Sequence, residues 1–232
     1  MNGGTSVRFT EEMKGYVSFG EEDYERGARE GHQDNTRLMF HLTIDVEDLD
    51  LFESDREHEA KAAGWVVCHP LGGRLPVERG IFNLLVGQED STIKQMLYRL
   101  FFRDGVGHPV TLAGFKVVRS HPLSYAWSDT TTLYTRLLRG HVEAKDEAAA
   151  EVVASGILRL RPLAFLRQLA TFRANGPSRA TRVAALCRFD VLFLGQLWRI
   201  YGWSVLRGIR GSRRRCVRPS QGSDRDEAGN VR

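Results

Sequence analysis

"RLMFHLTIDVED", residues 37–48, alternates apolar and polar side chains almost without interruption. One side of an extended chain would carry Leu38, Phe40, Leu42, Ile44 and Val46. Because successive side chains of a strand point to opposite faces, this period of two predicts a β-strand with one buried face. Similar runs, several of them rich in Val, Thr, Phe and Tyr, occur at 15–20, 63–68, 77–86, 95–103, 110–118, 130–138 and 151–160. The sequence therefore predicts about eight strands.

The connections between these runs are short and contain turn residues, as at 70–73, 104–107 and 121–124. Turns of this length join antiparallel neighbours, because a parallel pair needs a crossover of a dozen or more residues. The predicted fold is mainly β: an antiparallel up-and-down barrel, or a strongly curved sandwich, followed by two C-terminal helices.

The period changes after Arg161. Pro162 suits a first helical position, and apolar residues then recur at helical spacing until 175–177 ends the helix. A second helix is expected from about Arg179, with an apolar stretch over 189–206. We therefore predict a barrel-like domain with a capping helix over 1–176, an apolar C-terminal helix over 177–206 and an Arg-rich disordered tail over 207–232.

Composition places the chain among globular proteins, with 232 residues, 42% of them hydrophobic and 27% charged. The net charge of +4 conceals an asymmetry, because the region from Pro177 onward holds 12 arginines and 4 acidic residues. Cys68, Cys187 and Cys216 are widely spaced, and the first residues contain no apolar signal segment. These features favour a reducing compartment and cytoplasmic residence, and they predict no structural metal.

The motifs that most often identify an enzyme are missing from this sequence. There is no G-x-G-x-x-G turn for a dinucleotide and no G-x-S-x-G elbow for a serine nucleophile. No two histidines have the helical i, i+4 spacing of a zinc site. We therefore expect no cofactor and no metal, and a non-catalytic protein is the more favoured interpretation.

One short stretch, "CHPLGGR" at residues 68–74, supports two interpretations. Pro70 and the Gly72-Gly73 pair are typical of a β-turn between two strands. His69 is also a candidate catalytic base, but a histidine that oxidises an alcohol needs a bound cofactor to accept the hydride. The turn is the favoured interpretation.

Aromatic residues in the predicted strands are candidates for the barrel's core or for a ligand site, together with a polar cluster at a predicted barrel mouth. The candidate ligand-binding residues are Trp65, Phe82, Tyr98, Phe102, Phe115, Trp127, Asp129 and Thr131. The acidic run Glu11, Glu12, Glu21, Glu22 and Asp23 is expected to be a solvated surface.

The apolar stretch of the predicted C-terminal helix has 18 residues, from Phe189 to Leu206, which is near the lower limit for a membrane span, and polar residues interrupt it. Docking on the barrel is the favoured interpretation. Contact with a membrane interface and anionic lipid is the alternative, and its candidate residues are Trp198, Trp203, Arg207, Arg210, Arg213, Arg214 and Arg215. The same arginines could contact nucleic acid non-specifically, but no specific nucleic-acid module is recognised.

Several strings form a familiar set: "FTEEMKGYVSFG" (9–20), "GIFNLLV" (80–86), "KQMLYRLFF" (94–102), "LAGFKVV" (112–118), "WSDTTTLYTRLLRG" (127–140) and "FLRQLATFRANG" (165–176). They resemble the β-rich accessory region of large bacterial cholesterol-oxidase-like proteins of the glucose-methanol-choline (GMC) oxidoreductase family. The resemblance covers about residues 9–176 and implies a region that accompanies a flavin domain. Because the dinucleotide fingerprint is absent, no catalytic residue is carried over.

The expected function is therefore binding of a lipid or sterol, or an accessory role beside a partner oxidase or hydrolase. Two alternatives stay open. One is a divergent FAD-dependent cholesterol or alcohol oxidase fragment that uses His69, and the other is a membrane-peripheral protein attached by its C-terminal helix.

Overall fold

All eight predicted strands form, and they pair in chain order. The computed structural model describes residues 4–87, 93–119, 131–161, 168 and 170–189. Its strands are β1 (Ser6–Phe19), β2 (Arg37–Val46), β3 (Glu59–Cys68), β4 (Gly73–Gly87), β5 (Ile93–Arg103), β6 (Pro109–Arg119), β7 (Thr132–Arg139), β8 (Val152–Arg159) and the short β9 (Arg173–Asn175). The helices are α1 (Tyr24–Gln33), α2 (Leu49–Ser54), two 3-10 turns (His69–Leu71 and Ala144–Ala149) and a C-terminal helix whose described part is 179–189.

The sheet closes on itself. Strands β2 to β8 follow one another as antiparallel neighbours, β8 pairs with β1, and β1 also pairs with β2. The predicted antiparallel barrel of eight strands is thus confirmed. Closure leaves no open edge among these eight strands, so their backbone amides and carbonyls find partners around the barrel.

The alternation that predicted the strands also fills the barrel. On β2, Leu38, Phe40, Leu42 and Ile44 point inward and are completely buried, while the residues between them are only partly covered. The other strands show the same alternation, interrupted by register shifts such as those of β4 at Val77/Arg79 and Asn83/Val86. Their inward side chains form one continuous apolar core.

Helix α1 packs on the outer face of the barrel, over β1 and β8, through two glycines. A Cβ on Gly27 would lie 2.3 Å from the Ser155 carbonyl oxygen, and one on Gly31 would lie 2.2 Å from the Val17 carbonyl oxygen. Only a residue without a side chain permits this approach of helix to strand. The sequence pattern did not predict α1, because its ten residues contain few apolar side chains.

The prediction of a capping helix ending at about residue 176 was wrong at its C-terminal part. Residues Arg173–Asn175 form β9, which pairs with the first residues of β1. The apolar period was misleading here because Phe172 packs by stacking its ring on Phe9, with 4.8 Å between centroids, in a non-helical segment. Residues 162–167 and 169 of that predicted helix lie outside the described residues, and the described C-terminal helix is a single one.

One end of the barrel is covered by helical elements, and we call it the helical end. It comprises the first residues of β1, the last residues of β2, helix α2 and the C-terminal helix. Phe189 of the C-terminal helix is fully buried there, 5.8 Å from Phe9 and 6.1 Å from Phe52 of α2 between ring centroids. Arg188 forms ion pairs with Asp50 and Glu53 beside it. The described part of this helix thus docks on the barrel.

Candidate functional site: a buried polar trio below an aromatic column

Three polar side chains lie inside the apolar barrel, and we call Glu11, Tyr98 and Lys116 the polar trio. Each is at most 3% exposed. The Lys116 ammonium donates to Glu11 Oε1 and forms an ion pair with it, and the Tyr98 hydroxyl donates to Glu11 Oε2 over 2.8 Å. One carboxylate therefore binds both a cation and a phenol in the core.

Strand alternation puts the trio in the interior. Glu11 lies on β1 between the buried Phe9 and Met13, and it follows their inward period. Tyr98 lies between Met96 and Leu100 on β5 in the same way. Lys116 precedes the buried Val118 by two residues on β6, where β6 runs beside β5. Three different strands thus direct the three groups to one place.

The electrostatics of the trio are those of a charge pair removed from water. Burial, and then the negative charge of Glu11, raise the pKa of Tyr98 well above its ordinary value. Tyr98 therefore stays protonated and keeps donating its hydrogen bond. Lys116 also lies over the Tyr98 ring, 5.0 Å from the centroid, which is a favourable position for a cation.

An aromatic column joins the trio to the helical end, and we use this name for Phe189, Phe9, Phe82 and Tyr98. Successive ring centroids are 5.8 Å apart from Phe189 to Phe9, 6.3 Å from Phe9 to Phe82 and 5.0 Å from Phe82 to Tyr98. The spacing is that of rings in direct contact. The column is a continuous apolar path from the C-terminal helix to the buried carboxylate.

Of the candidate ligand-binding residues, four are buried: Phe82, Tyr98, Phe102 and Thr131. The first three point into the barrel, and Phe82 and Tyr98 belong to the aromatic column. Thr131 is near the helical end, where its carbonyl accepts from the Leu160 amide. Trp127 and Asp129 lie outside the described residues.

Trp65 and Phe115 lie on the outer face of the barrel, contrary to the expectation that they line it. Trp65 stacks on His41, with 4.4 Å between ring centroids, and Arg74 covers it from 3.9 Å. Phe115 belongs to an outer cluster with Tyr24 of α1 and Tyr134, at 5.7 and 5.3 Å. Both residues are offset by one position from the inward period of their strands, and bulk alone had suggested burial.

Two members of the polar trio were missed by sequence reasoning. Glu11 was assigned to a solvated acidic run, yet it is 3% exposed, and Glu21 of the same run is also buried. Lys116 was not singled out. The alternation did contain the signal, because Val7, Phe9, Glu11 and Met13 are every second residue of β1 and so have the same parity, which means that they face the same side of the sheet. A charged residue on the apolar parity of a strand is the pattern that predicts a buried ion pair.

His69 lies at the start of the 3-10 turn between β3 and β4, and it is exposed. Gly72 and Gly73 follow with φ of 108° and 90°, which is the left-handed backbone that glycine favours. The structure therefore shows the hairpin connection. Within the described chain no carboxylate pairs with the His69 ring, and the neighbouring Cys68 is a buried thiol whose pKa burial raises to about 11.

The C-terminal candidates Trp198, Trp203, Arg207, Arg210, Arg213, Arg214 and Arg215 all lie outside the described residues. Within 4–87, 93–119, 131–161, 168 and 170–189, no helix has both the length and the apolar character that a membrane span requires. The same residues contain no group of three or more His, Cys, Asp or Glu side chains arranged to hold a metal ion.

The fold and the site define the class of protein: a closed, eight-stranded antiparallel β-barrel with a polar trio in its core. Comparison with known proteins finds no matching family model, no similar curated protein and no similar solved structure.

Proposed function

We propose that this chain is a non-catalytic binding protein that takes a small apolar molecule, a sterol or a fatty-acyl lipid, into the helical end of its barrel. In this proposal it acts as an accessory to a partner oxidase or hydrolase. The molecule would lie along the aromatic column with its polar group at the polar trio.

The observation that carries the proposal is the position of the trio at the inner end of the aromatic column. Small-molecule sites are apolar clefts with a few convergent polar groups that orient the ligand. A buried ion pair contributes little net stability, because a protein in which well-packed apolar residues of the same volume replace the pair is often equally stable or more stable. A role in orienting a ligand gives a reason for these costly groups in the core.

The barrel size is compatible with this role. Eight strands enclose an interior that side chains can fill or that can hold one small ligand. The described interior is packed with the protein's own aliphatic and aromatic side chains, so binding would require the column to open at the helical end. Phe189 is the column member that belongs to a terminal helix rather than to the barrel wall.

The accessory part of the proposal rests on the resemblance of residues 9–176 to the β-rich region of cholesterol-oxidase-like GMC proteins. An accessory that presents an apolar substrate would suit an oxidase or hydrolase whose substrates dissolve poorly in water.

The test is mass spectrometry of small molecules that co-purify with the full chain, extracted with organic solvent and compared with a mock purification. A sterol or acyl lipid recovered in near-stoichiometric amount is the expected result. The Phe82→Ala variant should retain less of it, while Phe115→Ala, which removes an outer ring, should retain as much as the unmodified chain. An empty extract, together with no binding of added sterol or acyl lipid, would overturn the proposal, and recovered FAD would instead favour an oxidase.

A further inference from the structure

We infer that the ligand has a neutral oxygen head group, a hydroxyl or a carbonyl, and that Glu11 excludes molecules ending in a carboxylate. This inference rests on the proposed function, since it specifies the chemistry of the molecule in the same site. A site of this kind would bind alcohols and ketones in preference to free fatty acids, although the apolar parts of these molecules are similar.

The first step is the charge of the site. Glu11 and Lys116 have one charge each and are paired, so the trio is neutral. Among the described residues the only other buried charged side chain is Glu21, which pairs with Arg26 outside the barrel. A ligand carboxylate would place a second negative charge beside Glu11 with no second cation to balance it. Repulsion between like charges is strong where water is excluded.

The second step is the hydrogen-bonding capacity of Lys116. An ammonium group has three N–H donors and no acceptor. Within the described chain, Lys116 donates one of them to Glu11, and the Tyr98 ring lies over the ammonium. Donor capacity is thus left that the oxygen of an alcohol or ketone could accept. Such a hydrogen bond is favourable for a buried donor, because a buried N–H group without an acceptor costs free energy.

The third step concerns Thr135, a completely buried residue on β7. Its hydroxyl donates to the Leu133 carbonyl over a long 3.4 Å. Gly114 pairs with both Tyr98 and Thr135, which places the two at the same level of the barrel on either side of β6. The Thr135 hydroxyl is therefore an uncharged group at the level of the trio that could form a second hydrogen bond, beside that of Lys116, with a ligand hydroxyl.

The experiment compares three 18-carbon ligands: oleyl alcohol and oleate, which share one cis-9 unsaturated chain, and 1-octadecene, which has no head group. Each displaces a neutral fluorescent probe, N-phenyl-1-naphthylamine, from the full chain at about pH 8, where an exposed carboxyl is ionised. We expect oleyl alcohol to bind at least about tenfold more tightly than oleate. It should also bind more tightly than 1-octadecene, which has no oxygen.

The sharpest variant is Glu11→Gln, which removes the negative charge and leaves Lys116 without its counter-ion. The preference should then reverse, with oleate binding more tightly than oleyl alcohol. The matched control is Glu12→Gln, because Glu12 is the next residue of β1 but faces outward and pairs with Lys14 over 2.8 Å. That control should keep the preference of the unmodified chain.

A second variant keeps the test valid if Glu11→Gln does not fold. Glu11→Leu combined with Lys116→Met removes both charges. The advantage of oleyl alcohol over 1-octadecene should then shrink, because Lys116 no longer donates to the ligand oxygen, and oleate should no longer be excluded by Glu11. Failure of all three ligands and of an added sterol to bind would overturn the proposed function itself. If oleate binds the unmodified chain as tightly as oleyl alcohol, or if 1-octadecene does, the inference is wrong although the barrel still binds apolar molecules.

Discussion

Lys116 and Glu11 depend on each other for their place in the core. Each is almost completely removed from water, and each is the other's ion-pair partner. Removing one partner of such a pair leaves an uncompensated buried charge, whereas removing both leaves no buried charge and only the Tyr98 hydroxyl without its acceptor. The free energy of unfolding should therefore respond very differently to single and double substitutions.

We predict that Lys116→Met lowers the free energy of unfolding by about 3–5 kcal/mol. Combining it with Glu11→Leu should recover most of that loss. The control is Lys14→Met, whose partner Glu12 stays partly exposed, so its effect should remain within about 0.5 kcal/mol. Urea denaturation of the three variants measures this, and equal stability of the Lys116 single and double variants would contradict the prediction.

Whether a side chain faces the interior of the barrel depends on its position in the strand alternation more than on its residue type. Tyr98 follows the inward alternation of β5, and Phe82 follows that of the part of β4 after the register shift at Val77/Arg79, so both are buried. Trp65 and Phe115 have the opposite parity and were misplaced because large aromatic residues are usually buried. Their rings find cover on the outer face instead, against His41 and Tyr24.

At the scale of elements, the strands were predictable and α1 was not. A strand has a period of two that a few residues reveal, while α1 contacts the barrel through Gly27 and Gly31 rather than through an apolar stripe. Its start is held by polar groups. Glu21 accepts hydrogen bonds from the amides of Glu22 and Asp23, both over 2.9 Å, and pairs with Arg26.

This arrangement predicts a pH dependence. The hydrogen bond from Arg26, and then that from the Asp23 amide, lower the pKa of Glu21 from 4.5 to about 2. Because the folded state favours the ionised carboxylate, Glu21 contributes stability above about pH 4.5, and this contribution is lost as the pH falls toward 2. The stability difference between the unmodified chain and Glu21→Gln should be constant near neutrality and disappear at the acid end.

Thermal unfolding across this pH range measures the difference. Glu22→Gln is the control. Glu22 is the next residue after Glu21, but its carboxylate is exposed and accepts no hydrogen bond among the described residues. A Glu21→Gln difference that persists unchanged to about pH 2 would show that the carboxylate does not hold the start of α1.

At the scale of the whole molecule, the C-terminal helix completes the barrel. Its Phe189 fills the space among Phe9, Phe52 and Phe172, with centroids 5.8 to 6.1 Å away. The helix is thus part of the core at the helical end, and the same contact covers the aromatic column.

We predict that Phe189→Ala destabilises the protein by about 3–5 kcal/mol, the usual range for deleting a buried ring. It should also increase binding of an apolar fluorescent dye, because the column loses its cover. Val183→Ala is the control in the same helix, since Val183 is 59% exposed. Denaturant unfolding and dye titration check both effects, and a Phe189 variant that behaves like the Val183 variant would contradict the role of this helix as a cover.

The sequence by itself determined an antiparallel sheet of about eight strands, because alternation fixes which side chains share a face and short turns require antiparallel neighbours. Closure of that sheet into a barrel rather than a curved sandwich was decided by the tertiary structure. The sequence also contained the parity that places Glu11 with Phe9 and Met13. Only the tertiary structure decided that Glu11, Tyr98 and Lys116 meet, and that Phe172 forms no helix but stacks on Phe9. The physical reason is that strand parity is local, whereas the meeting of β1, β5 and β6 across the interior depends on closure of the whole sheet.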